Sequence, residues 1–364
     1  GLGDVYKRQF HMLDLARELD HTGFDIKFYS FIPTSRCIKF GLQKKCIVSL
    51  FGIIAPFLIL RRIFPKLSWI HIKVQDFIMG IFMRKCDICI SLTGYVYAPR
   101  IAQKKGAIII MERGSKHILE QKKILEKNPH KKNEAIPNRN IKCNLKAYQF
   151  ANFISVASQH VKESFLLHQY PENRIFVNPY GVDLSMFKPL PNIPKKYDVI
   201  MVGGWGYEKG CDLIVEAIRK TNYSFIHVGS IKDVDFPQEK NFTHIDPVDQ
   251  SKLIEYYNQA KVFILPSRQD GFGMVLSQAL ACNLPIIGSN NCGAPDLKKM
   301  VELPEYITII KDYTADAIVT AIHTAIKNYE QLGERIYAGN AIENLTWEAY
   351  GKRYANFLHK IIKQ

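Results

Sequence analysis

Between residues 198 and 310 the chain alternates short apolar runs with longer stretches in which apolar side chains recur every three or four positions. Runs at 199–202, 225–228, 262–265, 286–288 and 307–310 predict buried strands, and stretches at 213–219, 252–260, 272–281 and 295–300 predict helices. Strands separated by helices need crossover connections. The sheet is therefore expected to be parallel and doubly wound, with any ligand beyond the carboxyl ends of its strands. The first half repeats this theme less clearly. Met12, Leu13, Ala16 and Leu19 share a helical face that Gly23 ends, and Phe24, Ile26 and Phe28 then alternate with Asp25 and Lys27 as in a strand. Further strands are expected at 88–92, 107–111 and 153–157, and the polar residues 120–142 predict a loop with a helix in it. Near the C-terminus, Tyr350, Tyr354, Phe357, Leu358 and Ile361 fall on one side of a helix over 347–362.

The most apolar stretch, 47–60, is shorter than the ~20 residues of a membrane-spanning helix and contains Pro56. Arg61, Arg62 and Lys66 follow it, with Phe64 and Trp69 nearby. Two readings fit: a helix on a bilayer surface with basic groups toward anionic lipid, and a buried helix of the N-terminal unit. A length of 364 residues with a 47% hydrophobic fraction allows two domains, each with its own core. The net charge of +15 points to an anionic partner: nucleic acid, membrane or acceptor. No helix-turn-helix, zinc-finger or RNA-binding signature accompanies basic groups such as Lys122, Lys123, Lys127, Lys131 and Lys132, which puts nucleic acid last. Of eight cysteines only Cys86 and Cys89 have C-x-x-C spacing; with no second pair or His cluster they read as buried thiols in a reducing cytoplasm. Asp4-Val5-Tyr6-Lys7-Arg8-Gln9 reads as a translated sequencing adaptor, so residues 1–9 are expected to be a non-native scar.

Candidate chemistry gathers where two Gly-rich turns leave predicted strands. One is Pro266-Ser267-Arg268-Gln269-Asp270-Gly271-Phe272-Gly273, after which Met274 and Val275 begin a helix that carries Gln278. The first amides of a helix are unpaired and its dipole favours negative charge, so such a start binds anions. Gly271 and Gly273 let a phosphate come close, while Asp270 and Gln278 seek hydroxyls. Diphosphate at the amides and sugar hydroxyls at both ends describe a sugar-nucleotide site. Taken singly, Asp270 also fits a helix cap and Gln278 a solvated helix residue. The other turn, Gly203-Gly204-Trp205-Gly206-Tyr207-Glu208-Lys209-Gly210, alone also fits a tight strand-to-helix connection.

Residues 266–285 resemble the signature of retaining glycosyltransferases of the GT-B fold, the group 1 family (family 4). Its pattern is Pro-Ser-x-x-Glu-Gly-Phe-Gly, a second Glu eight residues after the first, then Ala-x-Ala-x-Gly-x-Pro. Here Asp270, Gln278 and Asn283 stand at the two Glu positions and the Gly position. Three other stretches are similar to family motifs in the same order: Asn178-Pro179-Tyr180-Gly181-Val182-Asp183 with Phe187 and Pro189, the 203–210 loop, and Cys292-Gly293-Ala294-Pro295-Asp296-Leu297.

The resemblance implies an α/β GT-B architecture: two Rossmann-like, doubly wound parallel-sheet domains facing a cleft. Residues 10–180 would form the acceptor side, 181–345 the donor-nucleotide side, and 346–364 a helix crossing back. The helix from Phe10 would then lack the strand and Gly-rich loop that precede it in the family. It also implies that Asp270 touches the donor sugar, Gln278 the ribose and Lys209 the diphosphate. Gly203, Gly204, Gly271, Phe272, Gly273, Met274 and Val275 would complete the donor site. Gly204 occupies the place of a family Arg, and Arg268 is the candidate to supply its charge. On the acceptor side, Glu112-Arg113-Gly114-Ser115-Lys116-His117 leaves a strand at the cleft, with His117 the candidate contact to the transferred sugar. Ser158 and Glu163 match a stretch lining the same cleft; a helix cap explains Ser158 equally well. No metal or other cofactor is implied. The expected activity is sugar transfer from a nucleotide-diphosphate sugar to a glycan or glycolipid with retained configuration, in cell-surface polysaccharide or lipopolysaccharide assembly at the cytoplasmic membrane face. Two rivals stand beside it: a sugar-nucleotide-binding subunit without catalysis, and a basic membrane or nucleic-acid binder on the same fold.

Overall fold

The computed structural model describes residues 10–64, 70–130, 136–332 and 343–363. The expected scar at 1–9, together with Lys66, Trp69, Lys131 and Lys132, lies outside the described residues. The N-terminal half runs α1 (Phe10–His21), β1 (Phe28–Ser30), α2 (Thr34–Lys39), β2 (Ile47–Ser49), α3 (Phe51–Ile63), α4 (His71–Phe82), β3 (Ile88–Leu92), α5 (Tyr97–Lys104), β4 (Ile108–Arg113), α6 (Ile118–Glu126), α7 (Asn138–Phe150), β5 (Phe153–Val156), α8 (Gln159–Leu166) and β6 (Ile175–Val177). The C-terminal half continues with β7 (Tyr197–Val202), α9 (Cys211–Arg219), β8 (Phe225–Val228), β9 (Phe242–Ile245), α10 (Leu253–Asn258), β10 (Ala260–Leu265), α11 (Met274–Ala281), β11 (Ile286–Ser289), α12 (Ala294–Lys298), β12 (Ile307–Ile310), α13 (Ala315–Leu332) and α14 (Trp347–Ile362).

Every strand pairing is parallel. In the C-terminal sheet the order is β12-β11-β10-β7-β8-β9, with Phe263 opposite Ile200 on one side and Ile286 on the other. Helices cover both faces of such a sheet, which is why β10 reads Ala-Lys-Val-Phe-Ile-Leu, almost continuously apolar, and is buried nearly throughout. The N-terminal strands divide into a pair, β1-β2, and a quartet, β3-β4-β5-β6. An apolar cavity of about 460 Å³ lies between them, lined by Leu15, Leu19, Phe28, Met83, Ile88 and Ile90 among others. Helix α14 crosses back to the first half. Phe357 stacks on Phe176 at 4.1 Å, Tyr354 Oη donates to Glu112 Oε1 at 2.8 Å, and Arg353 reaches Asn178 Oδ1 at 2.7 Å.

Several sequence expectations shift. The alternation at 24–28 becomes strand only at Phe28–Ser30. Helix α3 runs through Pro56, whose ring nitrogen has no hydrogen to donate to the helix. Residues 47–49 form a strand paired with β1 instead of opening that helix. The helix expected over 272–281 starts at Met274, which leaves Asp270 in a loop, and the one expected over 252–260 ends at Asn258 so that Ala260 can start β10. Residues 120–142 hold most of α6 and the start of α7. The pattern showed neither the short strands β6 and β9 nor α13.

Candidate functional site

Strands β7 and β10 are neighbours, so the loops leaving their carboxyl ends lie side by side. Backbone bonds join them, since the amides of Arg268 and Gln269 both donate to Glu208 O, at 2.9 and 3.3 Å. At this junction Lys209 Nζ donates to Asp270 Oδ2 at 2.5 Å. Burial pulls the Lys209 ammonium down, but Asp270 and then Glu208 outweigh it and hold the group above its ordinary pKa. Gly273 precedes α11 at φ 77, a left-handed conformation that suits glycine. The first-turn amides of Met274 and Val275 have no preceding helical carbonyl to bond and stay open to an anion. Asn283, at the family's Gly position, takes φ 61, a region Asn tolerates, so this departure leaves the backbone path intact.

Other predicted donor residues are engaged by the protein itself. Arg268 does not stand ready as the missing cation. Its guanidinium pairs with both Asp212 oxygens at 2.6 and 2.7 Å, donates to Tyr207 O at 2.8 Å and lies 3.8 Å over the Tyr207 ring. It braces the 203–210 loop. The Gly203 carbonyl accepts from His227 Nε2 at 2.8 Å, which anchors that loop to β8. Phe272 is buried in the core edge-on to Tyr180, so only its backbone can meet a ligand. Gln278 is not a solvated helix residue: it is 9% exposed, and its Oε1 accepts from Tyr257 Oη at 3.0 Å.

The two halves meet around the 269–271 loop. Gly271 touches Gly114 so closely that an added Cβ would lie 2.0 Å from the Gly114 carbonyl oxygen. Ser158 Oγ donates to Gly271 O at 2.5 Å, so its hydroxyl spans the halves and does not cap α8. Lys116 Nζ donates to Asn291 Oδ1 at 2.7 Å, and Gln159 N to Asp296 Oδ1 at 3.0 Å. Arg113 turns inward to Lys116 O, Asn144 and Gln121. Glu112 is buried, which raises its carboxyl to about 7. Glu163 is exposed on α8.

His117 is a correction. It stands at the N-cap of α6, 5% exposed, stacked on His168 at 4.0 Å and boxed by Tyr148 and Phe165. Burial, then His168 and Arg113, lower it to about 3. A ring held neutral in an aromatic box caps a helix; it does not meet a sugar in the cleft. The histidine nearest the donor loop is His160, which sequence reasoning passed over because a lone His on a helix carries no signal. It is buried beside Asp270 and Gly271, and burial lowers it to about 4.

Against this geometry, residues 185–341 match the family described as glycosyl transferases group 1. This stretch is similar to a group 1 glycosyl transferase domain. The matched stretch holds Lys209, Asp270 and Gln278. Among curated proteins, a probable sucrose-phosphate synthase of Thermosipho melanesiensis is 26% identical over 242 residues, covering 59% of this chain and 56% of that protein. A GDP-mannose-dependent alpha-(1-6)-phosphatidylinositol monomannoside mannosyltransferase of Mycolicibacterium smegmatis is 23% identical over 242 residues, 57% of this chain and 62% of that one. The chain thus matches somewhat more than half the length of these relatives. Solved structures extend the likeness to both halves. Anabaena HepE in complex with UDP and glucose overlays with a TM-score of 0.65 at 12% identity, covering 96% of this chain and 95% of that one. A sucrose-phosphate synthase from Thermosynechococcus elongatus overlays at 0.60 with 15% identity, covering 100% and 94%. The fold is GT-B, with two parallel-sheet units flanking the site.

Proposed function

We propose that the protein moves a sugar from a nucleotide-diphosphate sugar to a glycan or glycolipid acceptor with retention of configuration. The observation that carries this reading is the Lys209–Asp270 pair set beside the open amides of α11, where two strand-end loops of the matched stretch converge. Incoming diphosphate competes for Lys209, which frees Asp270 to accept from donor sugar hydroxyls. Charge that develops on the leaving diphosphate is then met by Lys209 and the amides at 273–275. The acceptor oxygen bonds to the anomeric carbon on the face that the phosphate oxygen leaves, and its proton passes to that phosphate. The test is a panel of UDP-, GDP- and ADP-sugars offered with lipid and oligosaccharide acceptors. Release of nucleoside diphosphate with a product of retained anomeric configuration is expected. Inverted product would overturn retention.

One arrangement favours a second reading, a binding subunit without transfer. Lys209 is neutralised by Asp270 and Gln278 is held by Tyr257. Tight nucleotide binding with no turnover on any donor would decide for it.

The exposed faces of α3 and α4 support an acceptor at an anionic lipid surface. Their inner faces pack together through Phe57, Leu58, Val74, Ile78 and Met79. Outward, Ile59 and Ile63 of α3 are 63% and 65% exposed beside Arg61 and Arg62, and Phe77, Ile81 and Phe82 of α4 are exposed as well. The inner face of α3 fits the buried-helix reading of 47–60, and its outer face supports the bilayer-surface reading. No helix among the described residues is long and apolar enough to cross a membrane. Co-sedimentation with phosphatidylglycerol vesicles is expected, and Ile59→Glu with Ile63→Glu should abolish it; unchanged co-sedimentation would remove this surface.

A further inference from the structure

The two cations that sequence reasoning assigned to the diphosphate are both committed, Lys209 to Asp270 and Arg268 to Asp212. A third, Lys232, is not: among the described residues it forms no ion pair and it is exposed. It follows β8, and β8 neighbours β7, so the 230–233 turn and the 203–207 turn leave the same end of the sheet. Two backbone bonds clamp these turns together, Trp205 N to Ser230 O at 2.8 Å and Lys232 N to Trp205 O at 2.9 Å. Asp233 secures them further by accepting from Tyr207 N at 2.9 Å, while its second oxygen accepts from Asn128 across the cleft at 2.8 Å. The Lys232 side chain then runs over Gly204. A Cβ built on Gly204 would lie 2.3 Å from Lys232 Cε and 2.8 Å from Nζ, so the space that a side chain at 204 would take is filled by the lysine.

We infer that Lys232 is the second phosphate-binding cation of the donor site, delivered to the Gly204 position from the neighbouring turn; this rests on the donor-site reading above. Without it, the cations of the two donor loops are matched one to one by carboxylates, and a diphosphate would meet no net positive charge from side chains. An ammonium on a turn fixed by two backbone bonds, with its stem laid over a glycine, supplies that charge with little rearrangement. Gly204 and Lys232 are two parts of one arrangement.

Titration calorimetry with UDP, GDP and ADP on the full chain tests it, followed by the nucleoside and monophosphate of whichever base binds. Lys232→Ala should weaken diphosphate binding about tenfold, leave nucleoside affinity within twofold and leave Tm unchanged. Lys232→Arg should bind within threefold of the parent. Adding Gly204→Arg to Lys232→Ala should restore binding, because removal of the lysine opens the space. If the parent binds a diphosphate and Lys232→Ala binds it equally well, Lys232 is overturned and the donor site stands. If the parent binds none of the three, both fall together.

Discussion

The C-terminal strands form one uninterrupted six-stranded sheet, whereas the N-terminal strands form a pair and a quartet with a cavity of about 460 Å³ between β1 and β3. In the first, β10 bonds to a neighbour on each side and is buried nearly throughout. In the second, β1 and β3 each bond to one neighbour among the described residues, with an apolar space between them. Cooperative stability should therefore concentrate in the half that holds Lys209 and Asp270, with the N-terminal half opening more readily. Chemistry that depends on placing one ammonium within ångströms belongs on the stiffer frame.

The largest contrast is expected in core truncations. Phe263→Ala, at the centre of the continuous sheet, should cost about 3–5 kcal/mol, and Ile88→Ala, on the edge facing the cavity, about 1 kcal/mol. Urea melts measure both, and equal losses would remove the comparison.

Activity should divide along the same line. Lys209→Ala removes charge where the diphosphate leaves and should lower turnover by at least ~10²-fold. His117→Gln, in its aromatic box, should lower the stability of the N-terminal half yet keep turnover within threefold at low temperature. Turnover within threefold for Lys209→Ala would sink its assignment.

Acid should separate the halves more gently. His11, His71 and His160 are lowered by burial to about 4 and His117 to about 3, all in the N-terminal half; the C-terminal half has His227, at about 4. Between pH 6.5 and 4 the unfolded chain binds protons that these folded rings refuse, so stability falls as pH falls, by at most about 1.4 kcal/mol per pH unit for each histidine. Buried carboxyls act oppositely: Glu112 near 7 and Asp14 near 6 gain protons in the folded state first. In the C-terminal half, Asp296 near 6 largely offsets His227. Hydrogen exchange at pH 7 and pH 5 should show β3–β5 losing protection while β7 and β10 keep theirs.

What the residues revealed follows from the same contrast. Apolar runs announce a strand wherever it stands in the sheet, which is why interior β8 and edge strand β12 were both placed to the residue. Short or half-polar edge strands do not: β9 is Phe-Thr-His-Ile, half polar, and β1 and β2 hold three residues each. At the site, the Gly-rich loops were legible because close backbone packing and left-handed conformations limit which residues can stand there. Lys232 was not, since it acts from another turn through backbone bonds that no spacing encodes. His117 misled for a related reason. Its place after β4 was right, but only packing shows that the ring turns toward Tyr148 and Phe165 and not toward the cleft.

The smallest effect, at Gln278, tests how far the donor side has drifted from its carboxylate pattern. The amide oxygen of Gln278 accepts from Tyr257 Oη in a buried position. A carboxylate there would keep that bond and add a charged acceptor for ribose hydroxyls. Gln278→Glu should then tighten nucleoside diphosphate binding by roughly 1 kcal/mol, near fivefold, and Gln278→Ala should weaken it by a similar amount. A purely structural Gln278 makes a different forecast. Gln278→Ala would strand the Tyr257 hydroxyl, at a cost of about 1–3 kcal/mol in stability, and would leave affinity alone. Calorimetry and thermal melts on the same variants separate the two, because ribose contact moves the binding constant in opposite directions for Glu and Ala while a structural role moves only Tm.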